Sequence, residues 1–183
     1  MSKALKKLIR ERELPEDEER VVAELYEGSD HTAVLLSVSQ LHRELERYVV
    51  GTLGVKDEKE LEGLTQPGNL LSSFNLVIQL AHVLGLIDKV EREHLDRIRA
   101  IRNVFAHAMR PVGFHMDVIA EEANKLPLRQ DFVDEYPQCS PRERFVYSTM
   151  QMGTEFIRRS GQYLRAQLQR SLDEGVVNKL LLK

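Results

Sequence analysis

The chain contains a single cysteine, Cys139, among 183 residues. One thiol excludes an intrachain disulfide and a zinc site built on thiolates, and it fits a reducing compartment. No stretch approaches the roughly 20 apolar residues that cross a bilayer. Residues 1–12 carry lysines but no apolar core of signal-peptide length. The expectation is a cytoplasmic protein without a membrane partner. Several familiar sites are missing as well: there is no phosphate-binding Gly-rich loop, no His-Glu-x-x-His and no Gly-x-Ser-x-Gly. The histidines His31, His42, His82, His94, His107 and His115 include no pair three or four residues apart. Neither a metal nor another cofactor is therefore expected.

What is present is an ordinary globular mixture, 42% hydrophobic and 30% charged. That is enough for one domain with a core and short for two. A net charge of −3 argues against a protein that coats nucleic acid non-specifically, because phosphate binding leans on clustered Lys and Arg. The charges are nevertheless segregated. Residues 113–138 carry Asp117, Glu121, Glu122, Asp131, Asp134 and Glu135 against Lys125 and Arg129. Residues 142–170 reverse the balance, with Arg142, Arg144, Arg158, Arg159, Arg165 and Arg170 against Glu143 and Glu155. The ordinary reading of such a run is a solvated helix face; the other is a local basic surface.

Helix signals follow one another along the chain. Residues 1–13 read as a short basic helix, and Pro15 opens a second that Gly28 stops. Ser29 or Asp30 can cap a third, where Val34, Leu35, Val38, Leu41, Leu45 and Tyr48 recur at spacings of three and four. Residues 55–69 are polar and end in the turn Gln66-Pro67-Gly68-Asn69. A helix from about Ser72 then places Phe74, Val77, Ile78, Ala81 and Leu84 on one side, with Gly85 as its stop. Asp88 begins a long helix to about Met109, with Glu91 in capping-box register and Pro111 beyond its end. A shorter helix covers residues 116–125, and a loop holding Pro127 and Pro137 follows. Ser140-Pro141-Arg142-Glu143 starts a final long helix with Phe145, Thr149, Met152, Phe156, Tyr163, Leu164 and Leu168 along one seam. No alternating strand pattern of convincing length interrupts this series. The expected fold is an all-α antiparallel helical bundle, with residues 1–27 as a helical extension and residues 28–183 as the bundle domain.

The long helix bears the candidate chemistry. At 100° per residue, Ile87, Val90, His94, Leu95, Ile98, Ile101, Phe105 and Ala108 gather on one apolar face, and Arg102 falls inside that arc. An arginine cannot shed its proton on burial, so it must reach solvent, pair with an acid or bind an anion. Asn103 and His107, four residues apart, stack on the polar side. Arg102 and His107 point about 140° apart on an ideal helix. One site could include both only through the arginine's reach, a helix end near His107, or a second subunit. A purely structural role would pair Arg102 with an acid of a neighbouring helix and leave His107 at the helix end that favours positive charge.

Three blocks carry a specific likeness: Leu70-Leu71-Ser72-Ser73-Phe74; Leu80-Ala81-His82-Val83-Leu84-Gly85-Leu86-Ile87; and Arg97-Ile98-Arg99-Ala100-Ile101-Arg102-Asn103-Val104-Phe105-Ala106-His107. Together they resemble the mannitol operon repressor family over residues 35–125. The resemblance implies an all-helical bundle and a transcriptional regulator, expected as a homodimer that acts through protein contacts or weak nucleic-acid contacts. No basic, exposed second helix of a helix-turn-helix is legible. The run Arg102-Asn103-x-x-x-His107 also resembles the motif of higher eukaryote and prokaryote nucleotide-binding (HEPN) domains. That resemblance implies a metal-independent endoribonuclease of toxin or defence type, with Arg102, Asn103 and His107 of two protomers forming the catalytic site. The residue types suit such chemistry, since a histidine titrates near neutrality and an arginine stabilises charge on phosphate. A third role is a helical adaptor that docks a partner through the N-terminal extension.

Overall fold

The two most regular apolar stripes of the sequence become the two longest helices. The computed structural model describes residues 15–173, apart from 56, 67 and 136. Among them every regular element is helical: α1 is Pro15–Tyr26, α2 is Asp30–Leu53, α3 is Glu58–Thr65 and α4 is Phe74–Val83. Then come α5, Lys89–His107, α6, Asp117–Asn124, α7, Gln130–Glu135, and α8, Pro141–Asp173. A single 3-10 turn, Leu70–Ser72, leads into α4. The all-α class is as expected. The basic helix expected over residues 1–13 lies outside the described residues.

The starts of the helices follow the caps written in the sequence. Ser29 Oγ accepts from the Thr32 amide at 3.1 Å ahead of α2. Asp88 and Glu91 form a reciprocal capping box at α5, with amide-to-carboxylate distances of 2.8 and 3.0 Å. Ser140 and Glu143 do the same at α8, at 2.7 and 3.2 Å. Gly85, at a left-handed φ of 68°, turns the chain between α4 and α5 where a side chain would be strained. Helices α3 and α7 were not expected. Asp57, whose carboxylate caps α3 by accepting from Lys59 at 2.7 Å, was the available signal, with Glu60 three residues on.

A continuous core joins α2, α4, α5 and α8. Val34, Val38, Leu41, Leu45 and Val49 of α2 meet Phe145 and Phe156 of α8, while Leu95, Ile98, Ile101 and Phe105 of α5 and Val77 and Ile78 of α4 close over them. Helix α5 runs antiparallel to α2, its Phe105 edge-on to His31 at 5.1 Å. Helices α2 and α8 instead run parallel. Arg142 reaches Asp30 at their starts (3.4 Å), Tyr48 stacks on Phe156 (6.2 Å), and the Tyr163 hydroxyl donates to the Thr52 carbonyl (3.2 Å) near the end of α2. The physical reason is the return path: residues 54–140 bring the chain back to the end where α2 began.

The buried arcs are narrower than the sequence stripes. Leu35, Leu84, Val90 and Leu164 were placed on apolar faces and are exposed, Leu164 by 49%. Ala108 falls beyond the last helical residue, His107, in extended backbone. The side chain of Leu168 is outside the described set.

Four arginines of the run, Arg142, Arg144, Arg158 and Arg159, are engaged by carbonyls or acids. Arg142 donates to the carbonyls of Leu25, Tyr26 and Gly28 at 2.6–3.1 Å and so fastens the end of α1. Arg144 donates to the Leu126 carbonyl at 3.0 Å. Arg159 bridges Glu91 and Glu155 at 2.6 and 2.7 Å, and Arg158 also pairs with Glu155. Leu25, 1% exposed, packs with Ala33 and Val146 under the Arg142 clasp.

These contacts separate core from surface positions on one helix. Phe156→Ala is expected to cost about 3–5 kcal/mol, and Leu164→Ala to stay within about 0.5 kcal/mol, as read from the midpoints and slopes of urea unfolding.

Candidate functional site

The inward turn of Arg102 opens onto a recess between α2, α4 and α5. Its volume is about 270 Å³. Val38, Ser39 and His42 of α2 form one wall, Ser72, Ser73, Phe74 and Asn75 another, and Arg99, Arg102 and Asn103 of α5 the third. No carboxylate lines it. Arg102 contacts Asn103, Nη1 donating to Oδ1 at 3.3 Å, and among the described residues it makes no ion pair. The buried acid that a structural role would supply is therefore not beside it. Arg99 is partly engaged, with Nη2 3.2 Å from Asp96.

Internal hydrogen bonds occupy some of these groups and leave others available. Ser39 donates its hydroxyl proton to the Leu35 carbonyl at 2.7 Å, and Ser72 donates to the Asn69 carbonyl at 2.7 Å. Neither has a proton left for a ligand. Ser73 is the N-cap of α4 yet makes no side-chain cap bond, so the leading N–H groups of that helix lack the usual side-chain acceptor.

His42 is the histidine next to Arg102. Its Nε2 lies 3.2 Å from the Leu71 carbonyl, and its ring packs 5.1 Å from Phe74. Burial pushes its pKa below the ordinary 6.5, the Leu71 bond resists, and the nearby Arg102 charge pushes it down further. A neutral ring donating Nε2–H to Leu71 carries its lone pair on Nδ1.

Of the three residues expected from sequence, the structure brings Arg102 and Asn103 together in this recess. His107 is not there. It is the last residue of α5, exposed, and forms none of the recess wall. Sequence reasoning weighed His42 only as a metal ligand. Its position one turn after Val38, at the edge of the buried stripe, was the signal for a half-buried histidine.

A larger hollow, about 860 Å³, lies elsewhere, between Tyr26, Phe132, Cys139 and Tyr147. Its carboxylates already have partners: Asp131 pairs with Arg129 at 2.8 Å, and Glu143 caps α8. The smaller recess is the better candidate because a guanidinium without an ion pair, that of Arg102, converges there with the side-chain amides of Asn75 and Asn103. Among the described residues no group of three or more His, Cys, Asp or Glu side chains could hold a metal ion. No helix of the described residues is long and apolar enough to cross a membrane. No family model, curated protein or solved structure matches the chain.

Two outcomes follow from this geometry. Because Arg102 has no carboxylate to strand, Arg102→Met is expected to change unfolding free energy by about 0.5 kcal/mol or less, as at exposed sites. A loss of about 3–5 kcal/mol in urea unfolding would instead mark a broken buried pair. The depressed pKa of His42 means that the unfolded chain binds more protons than the folded one below pH 6.5. Its contribution to stability is present above 6.5 and is lost as pH falls through that value toward the folded pKa. Wild type should then lose more stability between pH 7.5 and 5.5 than His42→Gln. Glu46, whose carboxyl burial raises to about 7, acts in the opposite direction and cancels in that comparison.

Proposed function

We propose that the protein is a mannitol operon repressor-like regulatory protein, a homodimer that works through protein contacts or weak nucleic-acid contacts and not by catalysis. The observation that supports this reading is convergence. Two of the blocks that carry the family resemblance lie about 25 residues apart in the chain and meet at the recess: Ser72, Ser73 and Phe74 from one, Arg99, Arg102 and Asn103 from the other. The remaining block packs into the core, with Ala81 and Ile87 buried and the His82 ring 3.3 Å from the Ile87 carbonyl. The engagement of Arg142, Arg144, Arg158 and Arg159 with carbonyls and acids supports the same reading, since it leaves few of the α8 arginines to grip a nucleic-acid backbone.

The second reading is a HEPN-type metal-independent endoribonuclease. One observation favours it: Arg102 is free of carboxylates and His107 is exposed, so a second copy could face both. Within one chain the two do not share a site.

Two measurements separate these readings. The purified protein, at micromolar concentration and without metal, is expected to leave structured and unstructured RNA intact, while deletion of its gene changes the transcript levels of a defined set of genes. RNA cleavage that leaves cyclic phosphate ends, and that disappears in Arg102→Ala and His107→Ala, would replace the regulatory reading with the ribonuclease. Light scattering on the eluting protein should give twice the chain mass.

A further inference from the structure

We infer that the recess around Arg102 is a binding site for the phosphate group of a small phosphate monoester, the effector of the regulator proposed above. The proposal rests on that reading only for its word effector; the site itself stands on geometry.

The first support is charge. A half-buried guanidinium keeps its charge at any physiological pH and must be balanced. Arg102 has only a neutral amide oxygen at 3.3 Å, and the recess it faces contains no carboxylate. Arg99, one turn earlier, adds a second positive charge that Asp96 offsets in part. An anion entering the recess meets opposite charge and displaces no internal acid.

The second support is the kind of donor. Besides the Arg102 fork, the recess presents the Asn103 amide, which already accepts from Arg102 and so turns its N–H₂ outward from that bond. The side chains of Ser73 and Asn75 have no partner among the described residues. The uncapped first turn of α4 lies beside them and favours negative charge. Donors on two facing walls, α5 on one side and the start of α4 on the other, suit a tetrahedral group that offers three terminal oxygens and close to two negative charges. A carboxylate offers two coplanar oxygens and one charge. A phosphodiester within a polynucleotide also offers only two terminal oxygens and one charge, so the site favours a monoester over a nucleic-acid strand.

The third support is size. At about 270 Å³ the recess admits a phosphate and a small attached group but falls just under the range of ordinary ligand clefts. Phe74 forms its apolar edge, next to His42. A sugar or nucleoside carried by the phosphate would rest at that edge and in the open mouth.

The test uses calorimetry on the full chain with inorganic phosphate, ribose 5-phosphate, adenosine monophosphate, and a short oligonucleotide without terminal phosphates. The expected order is that the two monoesters bind, inorganic phosphate binds more weakly, and the oligonucleotide does not. Arg102→Met should weaken monoester binding by about 10- to 100-fold, the range for one charged hydrogen-bonding group. Arg110→Met, at an exposed position beyond α5, should leave it unchanged. Should Arg102→Met fail to fold, the wild-type chain still decides: the ring protons of His42 should titrate at higher pH when ribose 5-phosphate is added, because a bound dianion stabilises the imidazolium. Equal monoester binding by wild type and Arg102→Met, tight binding of the unphosphorylated oligonucleotide, or an unmoved His42 titration would overturn the assignment. Monoester binding with no change in transcripts on gene deletion would uphold the site and remove only the regulatory role.

Discussion

Side-by-side packing of α2 against α8 is the contact on which the remaining elements depend. Phe145 and Phe156 enter the stripe of Val34, Val38, Leu41 and Leu45, and polar ties hold both ends of the seam in register. Arg142 secures the start through Asp30 and three backbone carbonyls, and Tyr163 closes the far end on Thr52. The ties are directional and the apolar contact is not, so the first selects one register from the many that burial alone would permit. Asp30 extends the same node into the loop after α5, where its other oxygen accepts from the Phe114 amide at 2.9 Å. Gly113 eases that approach, since a Cβ there would lie 2.7 Å from the His115 ring and 2.9 Å from the Asp30 carboxylate and one of them would have to shift.

Once α2 and α8 are fixed, α5 has one groove to occupy. Leu95, Ile98, Ile101 and Phe105 fill it, and the Glu91–Arg159 pair sets its beginning. Arg102 lies between two of these buried positions and is carried to the flank of α2, opposite His42. The recess is thus a product of packing. It lies where a long polar side chain prevents three helices from closing completely, and where the turn at Leu70–Ser72 brings Ser73 and Asn75 to the same space.

Local chemistry made much of the fold legible. Ser29, Asp88 and Ser140 with Glu143 mark helix starts because a cap is a bond between residues three apart in the chain. The inward direction of Arg102 and the outward direction of His107 followed from helical angle alone. The short helices α3 and α7 were hidden by polar composition and neighbouring prolines, although Asp57 had announced the first. The partners of the arginines in α8 were hidden for a different reason. Charge patterning gives no sign of partners such as the Leu25, Gly28 and Leu126 carbonyls, which belong to distant backbone.

By itself the sequence determined the helical class, most helix boundaries, and the split of Arg102 from His107 across one helix, all of which depend on residues within a turn or two of one another. Only the tertiary structure decided that α2 and α8 run parallel, that Arg142, Arg144 and Arg159 of α8 tie it to other elements, and that His42 rather than His107 stands beside Arg102. Those outcomes depend on pairs 18 to 117 residues apart, whose proximity comes from burying one common core and leaves no periodic trace in the chain.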